Sequence, residues 1–193
     1  GSMALKDYEA VHRKINMAIK ISMVISIPAA IGMAVLSPQI LLMLFPTAPE
    51  GGTLLRVGSF SIIFLALSQI VTGTLQGIGK VKTPAINAAF GAVAKIIVNY
   101  LLIGIPLFNV NGAVIATIAC YMVASGLNLI ALIRATGFSP DLMSSIVKPM
   151  FASVIMGGVC YGSYKVFDIV LGNTLSTLLS VVVSIAVYFL IML

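Results

Sequence analysis

Acidic residues and histidine are scarce in this chain, which has five Asp and Glu together and one His among 193 residues. All five carboxylates fall in predicted loops or tails: Asp7, Glu9, Glu50, Asp141 and Asp168. General acid–base and nucleophilic catalysis need such groups held together in a pocket. The sequence also lacks a glycine-rich phosphate-binding loop. We therefore predict that the protein is not an enzyme and that it has no catalytic residues.

Cysteine and tryptophan are equally rare, with two Cys and no Trp. Cys120 and Cys160 both lie in apolar stretches, and two isolated cysteines provide neither a disulfide framework nor a metal-ligand pattern. We expect no metal site and no cofactor. Without tryptophan, the residues left to mark a membrane interface are Tyr, Lys and Arg.

Hydrophobic residues, in contrast, make up 60% of the chain, charged residues only 8%, and the mean hydropathy is +1.16. A soluble domain cannot bury such a proportion of apolar side chains, so the solvent around this chain is predicted to be lipid. Long unbroken apolar runs favour helices over the short alternating strands of a barrel. The net charge of +6 comes from basic residues in short loops, a pattern typical of membrane orientation and not of nucleic-acid binding.

Six segments are apolar enough and long enough to cross a bilayer, which takes about 20 residues. They predict an all-α, polytopic bundle of six transmembrane helices at about 15–45, 53–78, 84–104, 112–133, 146–167 and 174–193. Pro28 is expected to kink the first span because it removes a backbone hydrogen bond. The pair Ser37–Pro38 is typical of the start of a new short helix.

The basic residues that flank these spans are distributed unequally. One side holds Lys6, Arg13, Lys14, Lys20, Lys80, Lys82, Arg134 and Lys148, and the other holds Arg56 and Lys165. This bias predicts that both termini lie in the cytoplasm. The external loops are then 46–52, 105–110 and 168–173, and His12 in the charged lead-in is expected to be solvated.

The third span carries a polar stripe in otherwise apolar sequence. Asn87, Gly91, Lys95 and Asn99 follow one another at four-residue intervals, which places them on one helical face. A charge near the bilayer centre costs about 2.5–3.5 kcal/mol on insertion scales if it faces lipid. Two interpretations remain open: the stripe lines a permeation cavity, or its polar groups bind neighbouring helices through hydrogen bonds worth about 0.6–2 kcal/mol each.

Two other spans carry weaker polar patterns. Gln69 and Gln76 share a face of the second span and are predicted to line a cavity. Asn128 is the most informative polar residue of the fourth span, because the Ser and Thr there can bond to their own helix, and it is predicted with Asn87 as a further candidate for the substrate path. Two small-xxx-small pairs are predicted to let helices pack closely: Gly73 with Gly77, and Gly158 with Gly162.

The ordered set of segments resembles a known transporter family. The first span, INMAIKISMVISIPAAIGMAVLSPQILLMLF, resembles the ninth helix of the bacterial lipid-linked oligosaccharide flippases. The stretches LQGIGKVKTPAINAAFGAVAKIIVNYLLIGIP and NVNGAVIATIACYMVASGLNLIALIR resemble the helices that follow. The likeness is greatest to the stage V sporulation protein B group of polysaccharide exporters, within the multidrug/oligosaccharidyl-lipid/polysaccharide transporter superfamily.

This resemblance implies a multi-pass protein of the bacterial cytoplasmic membrane, with two helical lobes around a central cavity and a final helix pair. The chain is then expected to be a C-terminal part: 1–3 a cloning scar, 4–14 a cytoplasmic lead-in, 15–135 four helices of the second lobe, and 136–193 the final pair. The implied activity is movement of a polyprenyl-linked saccharide of the cell envelope by alternating access. Its implied partners are membrane lipids, that substrate and the transporter's remaining helices. The implied pathway residues are Lys95 and Asn99, with Gln69 and Gln76 behind them.

Two other functions remain open. Cation-coupled export of organic cations, found in the same superfamily, would be favoured by an acidic cavity residue, whereas the charge predicted within the membrane is the basic Lys95. A non-transporting scaffold subunit is the other, because half of a transporter cannot alternate access alone.

Overall fold

A computed structural model describes residues 2–47, 51–105, 111–141 and 143–193, with side chains described from residue 9 onward. All regular elements in these ranges are helical, which confirms the all-α prediction. In chain order they are α1 (Ser2–Val35), α2 (Ser37–Leu44), α3 (Gly52–Ser59), α4 (Ser61–Gly77), α5 (Lys82–Ile103), α6 (Asn111–Thr136), a π-helical turn (Met143–Val147) and α7 (Lys148–Met192).

The break between α1 and α2 lies where the sequence predicts it. Leu36 leaves helical geometry, with φ −95° and ψ 14°, and Pro38 occupies the first turn of α2. A proline costs nothing there because the first-turn N–H groups have no intrahelical acceptor. The hydroxyl of Ser37 donates to the carbonyl of Ala34 at 3.0 Å and so helps to end α1.

Five helical segments are long and apolar enough to cross a membrane: 9–35, 52–77, 82–103, 111–136 and 143–192. The last contains 50 residues, far more than one crossing requires. It is interrupted at Gly172, whose φ of 72° and ψ of 166° are not helical and suit a residue without Cβ. Met156 packs with Tyr188 in one buried cluster, and the two residues are equally distant from Gly172 along the chain. The segment therefore folds back on itself, and its two arms are the fifth and sixth predicted spans.

The bundle is assembled as a series of neighbouring helices. α7 packs on α1, α1 on α4, α4 on α6, and α6 on α5. The main core joins α1, α4 and the end of α6 through the buried side chains of Ile15, Ile19, Met23, Ile27, Val71, Leu75, Leu132 and Phe138. The four isoleucine and methionine positions of α1 recur every fourth residue, as expected for one helical face. This arrangement leaves α5 at one edge of the bundle and α7 at the other.

His12 is not solvated as the sequence predicts. Its Nε2 atom donates to the carbonyl oxygen of Thr136 at 2.7 Å, and its ring meets Phe138 edge-on with 6.3 Å between centroids. Asn16 binds the same loop, donating to the carbonyl of Ser139 and accepting from the backbone N–H of Asp141. The prediction was wrong because the loop after α6 folds back over α1, a long-range contact that local sequence does not encode.

The cytoplasmic location of both termini stays a prediction, and residues 48–50 and 106–110 of the predicted external loops lie outside the described residues. In a background with Cys120→Ala and Cys160→Ala, we expect Thr47→Cys and Thr174→Cys to react with a membrane-impermeant maleimide in intact cells. Val81→Cys should react only after permeabilisation. All three positions are exposed, so accessibility within the fold does not bias the comparison. Labelling of Val81→Cys in intact cells would contradict the orientation derived from basic residues.

Candidate functional site

Three helices meet at the side chain of Asn128, which is 2% exposed. Asn87 of α5 donates from Nδ2 to the Oδ1 of Asn128 at 2.7 Å. Asn128 of α6 in turn donates from its own Nδ2 to the Oγ1 of Thr72 on α4, at 3.1 Å. A buried amide needs such partners because an unmade hydrogen bond is costly away from water. This chain of bonds ties α4, α5 and α6 together at one level of the membrane.

The members of the polar stripe of α5 lie in two different environments. Asn87 takes part in helix–helix bonding, and Gly91 lies buried against α6. Lys95, one turn further on, is exposed and takes no part in the bonds that join the three helices through Asn128. Asn99 is partly buried, and its Oδ1 atom has no hydrogen-bond partner among the described residues. The helix-packing interpretation therefore describes Asn87 and Gly91, whereas a cavity role for Lys95 and Asn99 stays a prediction.

Gly91 allows a close approach of α5 to α6. A Cβ atom at this position would lie 2.7 Å from the carbonyl oxygen of Cys120 and 3.1 Å from the Cβ of Ala124. At the other end of the same interface, a Cβ on Gly112 would lie 3.0 Å from the Cβ of Leu102. These contacts define a seam that runs along the whole of α5.

The exposed surface of α5 has two unlike flanks on either side of this seam. At about 100° per residue, one flank carries small or polar side chains, namely Ala88, Ala92, Lys95 and Asn99. The other flank carries large apolar side chains, namely Phe90, Ile97 and Leu101, each more than half exposed. The large side chains are suited to lipid, whereas the small and polar flank is not.

Gln69, Gly73 and Gln76 form an exposed face of α4. The opposite side of α4 carries Val71 and Leu75, which are fully buried in the core with α1. The two glutamines therefore point away from the core of the chain. Like Lys95, they are polar groups presented at its surface from within a membrane-spanning helix.

The four glycines predicted to mediate close packing make no such contact within the described structure. A Cβ added to Gly73, Gly77, Gly158 or Gly162 would meet no atom within 4 Å. Gly91 and Gly157 make the close contacts instead, the latter against the side chain of Ile31. The small-xxx-small spacing identifies a smooth helical face. Which way that face points depends on how the larger side chains of the helix pack. A packing role for the four predicted glycines would need helices outside this chain.

Thr72 is the member of the site that sequence reasoning missed. Threonine in a membrane helix commonly bonds back to its own helix, as the hydroxyl of Thr74 does with the carbonyl of Ile70 at 2.8 Å. Nothing in the local pattern separates Thr72 from Thr74. Only the position of Asn128 on the neighbouring helix distinguishes them.

We expect Asn128→Leu to destabilise the bundle by about 1–3 kcal/mol, because it removes two interhelical hydrogen bonds while retaining a side chain branched at Cγ. The measurement is the midpoint of unfolding in a detergent titration. Thr117→Val is the matched control, because the hydroxyl of Thr117 bonds only to the carbonyl of Ala113 in its own helix. Equal midpoints for the two variants would mean that the amide of Asn128 contributes nothing to helix association.

Comparison with known proteins adds independent evidence. Residues 2–183 match the family model described as Lipid II flippase MurJ. The chain is 31% identical over 157 residues to the Uncharacterized membrane protein YabM of Bacillus subtilis (strain 168), an alignment that covers 80% of this chain and 29% of that protein. It is 26% identical over 174 residues to the Lipid II flippase MurJ of the same organism, covering 88% of this chain and 31% of that protein. The chain thus spans less than one third of the length of these relatives.

Proposed function

The chain belongs to the lipid II flippase MurJ family, and from this membership we propose that it forms part of a flippase for a lipid-linked saccharide precursor. It is a multi-pass protein of the cytoplasmic membrane, as its relatives and its apolar helices indicate. The chain spans only part of the length of its relatives, so transport by the whole protein is itself part of what we propose. We assign residues 15–135 to one helical lobe and 136–193 to a final helix pair, and we propose alternating access as the mechanism.

The proposed substrate path is a cleft between α4 and α5. Both helices pack on α6 but contact each other little, so α6 forms the floor of a groove between them. The directions of the helices follow from their contacts. Asn87 meets Asn128 and Leu102 meets Gly112, so α5 runs antiparallel to α6.

The same reasoning gives the direction of α4 and the faces that line the cleft. Thr72 meets Asn128, and earlier in the chain Gly58 of α3 lies against Val114, so the α3–α4 segment runs parallel to α6. With right-handed helices of about 100° per residue, the flank of α5 with Lys95 then turns towards α4. Gln69 and Gln76 turn towards α5. Thr117 and Tyr121 of α6 lie on the floor.

The observation that carries the proposal is the position of Lys95. This lysine lies near the middle of a membrane-spanning helix, on the flank with small neighbours, and among the described residues it takes no part in the hydrogen bonds that join α4, α5 and α6. A lysine in lipid would be costly, whereas a lysine in a hydrated cleft can bind an anionic group through charge-assisted hydrogen bonds. A polyprenyl diphosphate supplies such a group, and the amides of Gln69, Gln76 and Asn99 are suited to the hydroxyls of an attached sugar.

Export of organic cations is less well supported by the same site. Residues 53–136, which include α4, α5 and α6, contain no Asp or Glu. A cleft whose charged residue is a lysine repels a cationic substrate and attracts an anionic one. Membership of a flippase family favours a transport function over an enzymatic one.

Ligand binding by the chain in lipid nanodiscs tests the proposal. We expect saturable binding of a polyprenyl-diphosphate-linked saccharide, and binding of the neutral polyprenol that is weaker by about tenfold or more, since a charge-assisted hydrogen bond contributes about 1.5–3 kcal/mol. Phosphatidylglycerol serves as a control for nonspecific attraction of an anionic lipid. Equal binding of all three lipids would contradict a site for a diphosphate-linked saccharide.

A further inference from the structure

Pro28 leaves one backbone carbonyl of α1 without its helical donor. A residue at this position would normally donate its N–H to the carbonyl of Val24, four residues earlier, but proline has no N–H. α1 nevertheless remains helical from Ser2 to Val35, with Pro28 inside it. Bulk water is absent from the hydrocarbon core of a bilayer, so a carbonyl left without a partner at this depth is costly. The carbonyl oxygen of Val24 therefore needs a hydrogen-bond donor from outside the backbone of α1.

The donor comes from the second arm of α7. The hydroxyl of Tyr188 donates to the carbonyl oxygen of Val24 at 2.8 Å. The tyrosine is only 2% exposed, and its ring packs in a cluster with Ala152 and Met156 of the first arm. Val24 and Ile31 of α1 pack against the same cluster. Both the ring and the hydroxyl of Tyr188 are therefore held in place.

A second contact ties α7 to the segment that follows α1. Asn173, directly after the break at Gly172, donates from Nδ2 to the carbonyl of Gln39 in α2 at 3.2 Å. Its Oδ1 accepts a hydrogen bond from the hydroxyl of Tyr164 at 2.9 Å. The α7 hairpin thus binds backbone carbonyls at two levels, one beside Pro28 and one beyond the break at Leu36.

We propose that Tyr188 is a positioning residue that replaces the hydrogen bond deleted by Pro28 and so keeps α1 helical and docked on α7. The final helix pair then completes the backbone bonding of α1, in addition to covering its apolar surface. Any movement of α1 against α7 at this level must break or exchange the bond from Tyr188. This role does not depend on the transported substrate.

A four-variant cycle tests the proposal on the full chain: the unmodified protein, Tyr188→Phe, Pro28→Ala, and the double variant. Tyr188→Phe removes only the hydroxyl, and we expect the midpoint of thermal unfolding in detergent to fall by about 2–4 °C or more. In the Pro28→Ala background the same change should have little effect, because the N–H of the new alanine donates to Val24. If Tyr188→Phe acted only through lost packing, it would lower the unfolding midpoint equally with and without Pro28→Ala.

Amide hydrogen exchange supplies a second measurement that does not require the Pro28→Ala variant to fold well. We expect Tyr188→Phe to accelerate exchange at residues 25–32 of α1 by several fold, with α5 and α6 unchanged. Tyr161→Phe, at a half-exposed tyrosine of the first arm, is the matched control and should leave exchange unchanged. The same loss of stability in both backgrounds, or accelerated exchange spread evenly over the chain, would overturn the proposal.

Discussion

A valine in place of Gly91 is expected to separate α5 from α6 and to destabilise the bundle by about 3 kcal/mol or more. Its Cβ would lie 2.7 Å from the carbonyl oxygen of Cys120, which belongs to the backbone and cannot rotate away. α5 depends on this interface, because it packs extensively on α6 and makes few contacts with α4. Displacement of α5 would also lengthen the hydrogen bond from Asn87 to Asn128.

Gly73→Val is the matched control for this prediction. It introduces the same side chain into a membrane-spanning helix and has the same intrinsic effect on helix propensity, but nothing lies within 4 Å of its Cβ. The midpoint of unfolding should fall sharply for Gly91→Val and change little for Gly73→Val. Similar midpoints would mean that α5 can shift along α6 without loss, contrary to the close contact at Gly91.

The contrast between these two glycines also shows what sequence can predict in this protein. Hydropathy and length predict the spans, because the lipid environment acts on every residue of a span together. Local backbone chemistry predicts the start of α2 at Ser37 and Pro38, since both signals lie within one turn. The same reasoning places a turn between the fifth and sixth spans. It overestimates the extent of that turn, because helix continues on both sides up to the single non-helical residue Gly172.

Helix rotation could not be predicted in the same way. Gly157 lies buried against Ile31, whereas a Cβ added at Gly158, one residue further and about 100° around the helix, would meet no described atom within 4 Å. Which glycine faces a neighbour depends on how the side chains of two helices interlock, and that information is distributed over distant parts of the chain. The contacts of His12 with Thr136 and of Tyr188 with Val24 also join residues far apart in the sequence, separated by 124 and 164 positions. The sequence therefore reveals the four-residue stripe of α5. It does not reveal which of the four residues pack against α6 and which face the proposed cleft.

Lys95→Met is expected to reduce transport by about tenfold or more in cells whose envelope synthesis depends on this protein, while the amount in the membrane stays constant. Methionine keeps the length of the side chain and removes its charge, so insertion of α5 should be no less favourable. Because Lys95 is exposed and lies outside the hydrogen bonds that join α4, α5 and α6 at Asn128, the fold should tolerate the change. The loss is then attributable to weaker binding of an anionic head group.

Lys165→Met provides the matched control with the same chemical change. The ammonium of Lys165 lies over the ring of Tyr161, 4.9 Å from its centroid, on the α7 hairpin and outside the proposed cleft. The cation–π contact there contributes about 0.5–1 kcal/mol at an exposed site, so stability should change little. Transport by Lys165→Met should equal that of the unmodified protein.

Lys95→Arg separates the effect of charge from that of geometry. Arginine retains the positive charge but replaces a compact ammonium with a larger planar group, so we expect partial activity, between those of the methionine variant and the unmodified protein. A cleft that binds a diphosphate requires this order, because the attraction depends first on charge and then on the fit of the donors. A lysine that only reaches towards the membrane surface would give full activity in all three forms, since methionine is better tolerated in lipid than either cation. Full activity of Lys95→Met at equal abundance would therefore remove Lys95 from the substrate path and leave Gln69, Gln76 and Asn99 as the amides proposed to bind the substrate.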